Sequence, residues 1–114
     1  MTQQRFEVSG YKGMWLFALF DLPVTTKDAR RKYAQFRNEL LKDGFQMMQF
    51  SVYARYCPSE EAAKVHRKRV RLALPPEGHV RLLAVTDKQF AKMEIFIGKK
   101  RRVAEEPPEQ MQFF

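Results

Sequence analysis

One carboxylate in this sequence stands where a metal ion could be held. Asp21 directly follows the apolar run at residues 14–20, and Leu22-Pro23 turns the chain immediately after it. A carboxylate at the end of a strand can bind a hard cation such as Mg²⁺, which polarises phosphates and activates water. The same position suits a turn residue whose side chain bonds the nearby backbone. From these residues alone the turn role is favoured, and Asp21 is also kept as a candidate metal ligand and catalytic residue.

A single carboxylate makes a weak magnesium site. Mg²⁺ takes about six oxygen ligands, usually from one or two carboxylates together with waters or phosphates. No second carboxylate lies within six residues of Asp21 on either side. A homodimer would bring two copies of Asp21 together across its twofold axis, where they would repel each other without a divalent cation. If the protein is a nuclease, the sequence thus predicts a Mg²⁺ site that takes one Asp21 from each subunit.

Basic residues cluster at two places along the chain. The first cluster crowds the start of a predicted helix: Lys27, Arg30, Arg31 and Lys32. The helix dipole disfavours cations there, whereas the free N–H groups of a helix start bind anions, so these cations indicate phosphate binding. The second cluster, Lys99–Arg102, is either another phosphate contact or the basic start of a disordered tail. The predicted nucleic-acid contacts are Lys27, Arg30, Arg31, Arg55, Lys99, Lys100, Arg101 and Arg102.

Other reactive residue types have no partner at a useful spacing. His66 and His79 stand alone, which favours structural roles for both. The single cysteine, Cys57, excludes an internal disulfide and a cysteine metal cluster. Ser51 has no adjacent base, and there is no glycine-rich phosphate loop. A stripe of basic residues lies towards the C-terminal half of the second helix, where the helix dipole favours cations, and it is interpreted as a solvated face. These residues are Lys64, Arg67, Lys68 and Arg71.

The composition of the chain points to an anionic partner. Its 114 residues suffice for one compact domain, and 21 basic against 13 acidic residues leave a formal net charge of +8. Nucleic acid is the first candidate and an acidic membrane surface the second. The chain opens with no secretory leader and has no apolar run near about 18 residues, so we expect a soluble, cytoplasmic protein.

The elements that position these residues follow from hydrophobic periodicity. Residues 14–20 predict a strand covered on both faces, because Pro23 would end a helix too early. Residues 25–43 predict a helix, capped by Thr25 or Thr26 and stopped by Gly44. Residues 45–57 alternate but are long for one strand, so we expect a bend or two short strands meeting near Gln49-Phe50.

The remaining elements complete a mixed fold. A second helix begins at Ser59 and runs to about residue 74, a strand follows at 79–86, a helical turn at 87–92 and a short strand at 94–98. This order predicts an α+β, ferredoxin-like βαββαβ sandwich over residues 14–102 with an extra short C-terminal strand. Residues 1–13 are predicted to be a flexible lead-in and 103–114 a tail.

Two helices cover only one face of such a sheet. The uncovered face would carry Trp15, Phe17 and Leu19, or else the alternate residues of the same strand. An exposed apolar sheet face predicts a partner, and the simplest partner is a second copy of the same chain.

Several segments resemble one known protein family. These are MWLFALFDLP with Asp21, a following helix with Arg30-Arg31, GFQMMQFSVYARYC, and VTDKQFAKMEIFIGKK, in the family's order. Over about residues 11–102 the chain is similar to the second of the two universal CRISPR-associated adaptation proteins, in its short type II form. The first segment is moderately specific, and its combination with the other segments makes the resemblance strong.

The resemblance implies a function. Family members form ferredoxin-like homodimers that sit between two dimers of the CRISPR integrase and span double-stranded protospacer DNA during spacer acquisition. Members are also described as Mg²⁺-dependent endonucleases acting on RNA or DNA, with the metal-binding aspartate at the position of Asp21. The family's arginines fall on Arg30 and Arg31, and its serine on Ser51. The tail lies outside the resemblance and is either a docking peptide or partner strand, or a disordered terminus.

These implications leave two main hypotheses for the function. One carboxylate, no recognisable general base and abundant basic charge favour a DNA-binding scaffold over a nuclease. An RNA-binding module of the same fold is less favoured, because QMMQFSVYARY does not match the aromatic pattern of such sheets.

Overall fold

The fold is known from a computed structural model, which describes residues 13–105 and residue 107. The elements are β1 (Met14–Asp21), α1 (Lys27–Lys42), β2 (Gln46–Gln49), β3 (Val52–Cys57), α2 (Glu60–Leu72), β4 (His79–Thr86), α3 (Asp87–Ala91), β5 (Ile95–Ile97) and β6 (Lys100–Arg102). The predicted lead-in, apart from Gly13, and most of the predicted tail lie outside the described residues.

The main sheet has the strand order β2-β3-β1-β4, with each neighbouring pair antiparallel. Each of the two helices α1 and α2 joins a strand to another that is not its neighbour, so β1 and β3 form the centre of the sheet. This arrangement confirms the predicted α+β, ferredoxin-like fold.

Local sequence signals determine where the helices begin and end. The Thr26 hydroxyl accepts a hydrogen bond from the Ala29 N–H at 3.0 Å, and the Ser59 hydroxyl accepts one from Ala62 at 3.1 Å. Gly44, with φ of +88°, follows the end of α1 in a conformation that favours glycine. Both predicted helices are confirmed, although α2 ends at Leu72 rather than near residue 74.

Both helices pack on the same face of the sheet. Leu16, Ala18 and Phe20 of β1 point towards them and form one core with buried residues of α1 and α2. Phe20 meets Phe36 of α1 edge to face, with ring centroids 5.1 Å apart. The alternation of β1 therefore places Asp21 on the opposite, helix-free face, together with Trp15, Phe17 and Leu19.

The helix-free face is covered only in part. Trp15 stacks on Phe90 of α3 at 4.0 Å between ring centroids, and its indole N–H donates to Asp87 at 3.2 Å. Further along, Phe17 is half-buried and its partner Leu83 on β4 is 53% exposed. The prediction that β1 is covered on both faces therefore holds for its start, whereas part of the face beyond α3 stays open.

The chain after β4 forms a small hairpin. β5 and β6 pair antiparallel, with Ile95 opposite Arg102 and a turn that contains Gly98 at φ +62°. The extra short strand is confirmed, and Lys100–Arg102 form part of a β-hairpin instead of beginning a disordered tail. Within the part of the chain that the structure describes, no helix is long and apolar enough to cross a membrane.

Candidate metal and nucleic-acid site

Asp21 is the last residue of β1, and its side chain is exposed on the helix-free face. Its cross-strand partner is His79, the first residue of β4. Gly78 holds this register, because its φ is +97° and a Cβ there would lie 2.7 Å from the Asp21 carbonyl oxygen and from Leu22. Only glycine lets the chain approach the end of β1 this closely, and the approach sets His79 opposite Asp21.

Within one chain, the described residues around Asp21 do not form a complete cluster of metal ligands. Among residues 13–105, no three or more His, Cys, Asp or Glu side chains are grouped to hold a metal ion. A single exposed carboxylate fits the way Mg²⁺ is commonly bound, through one or two carboxylates with waters and phosphate oxygens. A second copy of Asp21 would supply the other carboxylate.

Sequence reasoning missed that His79 is the partner of Asp21. The two residues are 58 positions apart, so no local spacing connects them. They meet because β1 and β4 have eight residues each and pair end to end in an antiparallel register. The usable signal was the predicted topology itself, which places the last residue of the first strand opposite the first residue of the last one.

Ser51 shapes a corner next to the end of β1. Its φ is +63°, and its carbonyl accepts a hydrogen bond from the N–H of Phe20 at 3.1 Å, one residue before Asp21. Its hydroxyl lies 3.1 Å from the hydroxyl of Tyr33, whose ring stacks with that of Phe50 at 6.0 Å. The expected break near Gln49-Phe50 is confirmed, and Ser51 holds this corner through backbone and hydroxyl contacts.

The cations at the start of α1 share one nearby carboxylate. Asp28 is paired with Arg31 and lies 3.2 Å from the Lys32 ammonium. The hydrogen bond from Arg31, followed by that from Lys32, holds the pKa of Asp28 below its ordinary value. Arg30 donates to the Val24 carbonyl at 3.1 Å. Four cations against one carboxylate leave an excess of positive charge at the same end of β1 as Asp21.

Arg55 lies on the other side of the sheet from Asp21, in a network of polar side chains. Its Nε donates to His66 Nε2 at 2.9 Å, and His66 Nδ1 lies 2.8 Å from Asp43, which also binds Arg69 at 2.8 Å. Because Nε2 accepts from Arg55, the ring proton is on Nδ1 and is donated to Asp43. The predicted structural role of His66 agrees with this geometry, and nucleic-acid binding by Arg55 stays a prediction.

Replacing His66 by alanine should destabilise the protein through this network. The side chain of His66 is 9% exposed and that of Asp43 10%. His66→Ala leaves the Arg55 Nε and one Asp43 oxygen without their partner, so we expect a loss of roughly 1–3 kcal/mol of unfolding free energy. Urea unfolding followed by circular dichroism measures this loss. Lys68→Ala, an exposed change on the same helix, should stay within about 0.5 kcal/mol, and an equally small loss for His66→Ala would contradict the role of the network.

Cys57 ends β3 inside the main core. Burial raises the pKa of its thiol, which keeps the sulfur protonated at neutral pH. This agrees with a packed thiol that serves neither as a nucleophile nor as a metal ligand.

The second basic cluster lies on the β5–β6 hairpin. The β5–β6 hairpin reaches α3, where Arg101–Ala104 line a groove together with Ala91 and Met93. Arg101 lies 3.5 Å from Glu94, and all of Lys99–Arg102 are exposed. α3 is bonded to the start of β1 through Trp15. The two predicted phosphate-binding clusters therefore lie on separate elements, the start of α1 and the hairpin that follows α3.

Comparison with known proteins decides the family. The profile of the family described as CRISPR associated protein Cas2 matches residues 14–93. The chain belongs to the Cas2 family. The match begins with β1 and includes Asp21, both helices and α3, so the resemblance found in the sequence segments is confirmed.

Other members of the Cas2 family are similar over nearly their whole length. A protein of Parvibaculum lavamentivorans is 50% identical, over 89% of this chain and 100% of its own. A Flavobacterium psychrophilum relative is 45% identical, over 91% of this chain and 90% of its own, and one from Paracidovorax avenae is 43% identical, over 94% and 99%. Each of these three relatives is named CRISPR-associated endoribonuclease Cas2.

Proposed function

We propose that two copies of this chain form the subunit that bridges CRISPR integrase dimers and binds double-stranded protospacer DNA during spacer acquisition in the cytoplasm. The observation that carries the proposal is that the excess positive charge lies on two separate elements, the start of α1 and the β5–β6 hairpin. One chain can therefore contact the phosphates of a duplex through two elements, and a dimer through four.

The open part of the helix-free face supports the dimer in this proposal. Leu83 is 53% exposed there, opposite Phe17, which packs in part against Phe90 of α3. A self-complementary apolar face favours a twofold contact, in which each residue meets a symmetry-related surface. Asp21 lies on the same face as these residues, so a dimer formed there would bring its two copies towards one another.

Metal-dependent endonuclease activity is a second candidate function. It is favoured by the names of the three relatives and by the exposed position of Asp21 near a cationic helix start. A bound Mg²⁺ would supply Lewis-acid chemistry and a more acidic water. In this chain Asp21 would hold the ion, and Arg30 and Arg31 would hold the substrate phosphate in place. RNA and DNA are both candidate substrates.

The double variant Arg30→Ala/Arg31→Ala tests the DNA-binding proposal. If about six phosphates are neutralised, log affinity for duplex DNA falls with log salt at a slope near −5. The double variant removes two arginines from each subunit of the dimer, so the loss of four phosphate contacts should make that slope shallower by about 4. Fluorescence anisotropy at several salt concentrations measures it. Integration of a labelled protospacer by the cognate integrase should depend on the wild-type protein and be weakened by the double variant.

The matched control is Lys64→Ala/Lys68→Ala, which removes the same charge from the exposed stripe of α2. This control should leave the salt slope within about 0.5 of wild type, since its positions are assigned to a solvated face. A slope that is flat for the wild-type protein would contradict the proposal. If the two double variants change the slope equally, the change reflects the lost net charge and gives no support to specific contacts by Arg30 and Arg31.

A further inference from the structure

We propose that His79 is a second metal ligand beside Asp21, and that its imidazole makes the site selective for first-row transition-metal dications over Mg²⁺. The inference deepens the second candidate function, the metal-dependent cleavage assigned to Asp21, and rests on it. It adds a nitrogen ligand to a site that otherwise offers only carboxylate oxygen.

The register of β1 and β4 carries this inference. Asp21 and His79 are cross-strand partners, so their side chains leave the sheet on the same face. Cβ atoms of such partners lie about 4.5–5.5 Å apart, a separation that lets a carboxylate oxygen and a ring nitrogen each reach one ion at about 2.0–2.2 Å. Gly78 keeps this register by its close approach to Asp21 and Leu22.

Both side chains are available for a ligand. Asp21 and His79 are exposed, and within residues 13–105 neither shows a side-chain hydrogen bond or an ion pair. This contrasts with His66, whose two ring nitrogens are both engaged, by Arg55 and Asp43. An imidazole nitrogen beside an exposed carboxylate is an N/O ligand pair.

The chemistry of the pair determines which cation it prefers. Mg²⁺ takes oxygen ligands and keeps its waters, so a ring nitrogen adds little to its affinity. First-row transition metals accept imidazole readily. One chain supplies two protein ligands, and a dimer through the helix-free face would supply two aspartates and two histidines. Waters or substrate phosphate oxygens would complete the coordination sphere.

Electron spin-echo spectroscopy with Mn²⁺ as the probe tests the proposal on the full chain without a histidine tag. The chain contains only two histidines, and both nitrogens of His66 are already bonded. Modulation from a directly bound ¹⁴N is therefore expected in the wild type from His79. His79→Ala should abolish it and weaken Mn²⁺ binding about tenfold or more, whereas Mg²⁺ affinity should change by less than about twofold.

Two controls separate this inference from the function on which it rests. Asp21→Asn should weaken the binding of both Mn²⁺ and Mg²⁺. Arg81→Ala, two residues further along on the same face of β4, should not weaken Mn²⁺ binding. Mn²⁺ binding could show no nitrogen signal, persist in His79→Ala and be lost in Asp21→Asn. That result would overturn the role of His79 and leave the Asp21 site standing. Absence of Mn²⁺ binding by the wild type would overturn the inference and the cleavage candidate together, without touching the DNA-bridging proposal.

Discussion

Asp21→Asn should abolish metal-dependent cleavage, with a fall in rate of about 10³-fold, and leave the protein folded and able to bind duplex DNA. A lost metal ligand removes several kcal/mol of transition-state stabilisation, and about 1.4 kcal/mol corresponds to a factor of ten. The asparagine keeps the shape of the side chain and removes its charge. Because Asp21 is exposed, the unfolding free energy should change by no more than about 0.5 kcal/mol.

Asp28→Asn is the matched control for this change. Asp28 is also an exposed aspartate near the end of β1, but it is paired with Arg31 and Lys32 at the start of α1. Its replacement frees those cations and should leave cleavage within a few-fold of wild type. Cleavage of labelled RNA and DNA should be measured for both variants with and without a metal chelator. If Asp21→Asn cleaves at the wild-type rate, Asp21 is not the metal ligand for this activity.

Leu83→Glu should convert the proposed dimer to a monomer. Leu83 is 53% exposed and lies opposite Phe17 on the helix-free face. In a twofold contact every substitution occurs twice, so two carboxylates would lose water in an apolar interface. We expect the dimer dissociation constant to rise at least about 100-fold, since each desolvated and unpaired charge costs several kcal/mol. Sedimentation velocity over a range of protein concentrations measures the change.

The control for the dimer prediction is Leu72→Glu. Leu72 ends α2 and is 79% exposed, more than Leu83, but it belongs to the helical side of the sheet. This variant should remain dimeric, so a general effect of added negative charge is separated from an effect at the interface. Cleavage by Leu83→Glu should fall as well, since two copies of Asp21 would no longer meet. A wild-type monomer, or a dimer that survives Leu83→Glu, would contradict the proposed face.

The two expected results depend on different parts of the structure. Asp21 acts through its own side chain, whereas Leu83 acts through the surface that brings two chains together. A protein that loses cleavage in Asp21→Asn but keeps the dimer, and loses both in Leu83→Glu, would show that the metal site is assembled by dimerisation. The proposed bridging of integrase dimers would require the dimer and would not require the carboxylate.

Much of the fold could be predicted because it depends on interactions between residues that are close in the sequence. Thr26 and Ser59 are helix caps that act within three residues, and Gly44 ends α1 through its own backbone angle. The break between β2 and β3 could be placed because thirteen alternating residues are too many for one ordinary strand. The hairpin strand β6 was missed, since Lys100–Arg102 carry only charge and no apolar alternation.

The sequence by itself determined the candidate metal ligand, the basic helix start, the order of the elements and the family resemblance, because these depend on residue types and local spacing. The tertiary structure alone decided which residues meet across the fold. It placed His79 opposite Asp21, put Arg55 in a network with His66 on the other side of the sheet, and paired Lys100–Arg102 with β5 in a hairpin. The physical reason is that antiparallel pairing and helix packing join residues far apart in the chain, and no local pattern encodes which distant residue becomes a neighbour.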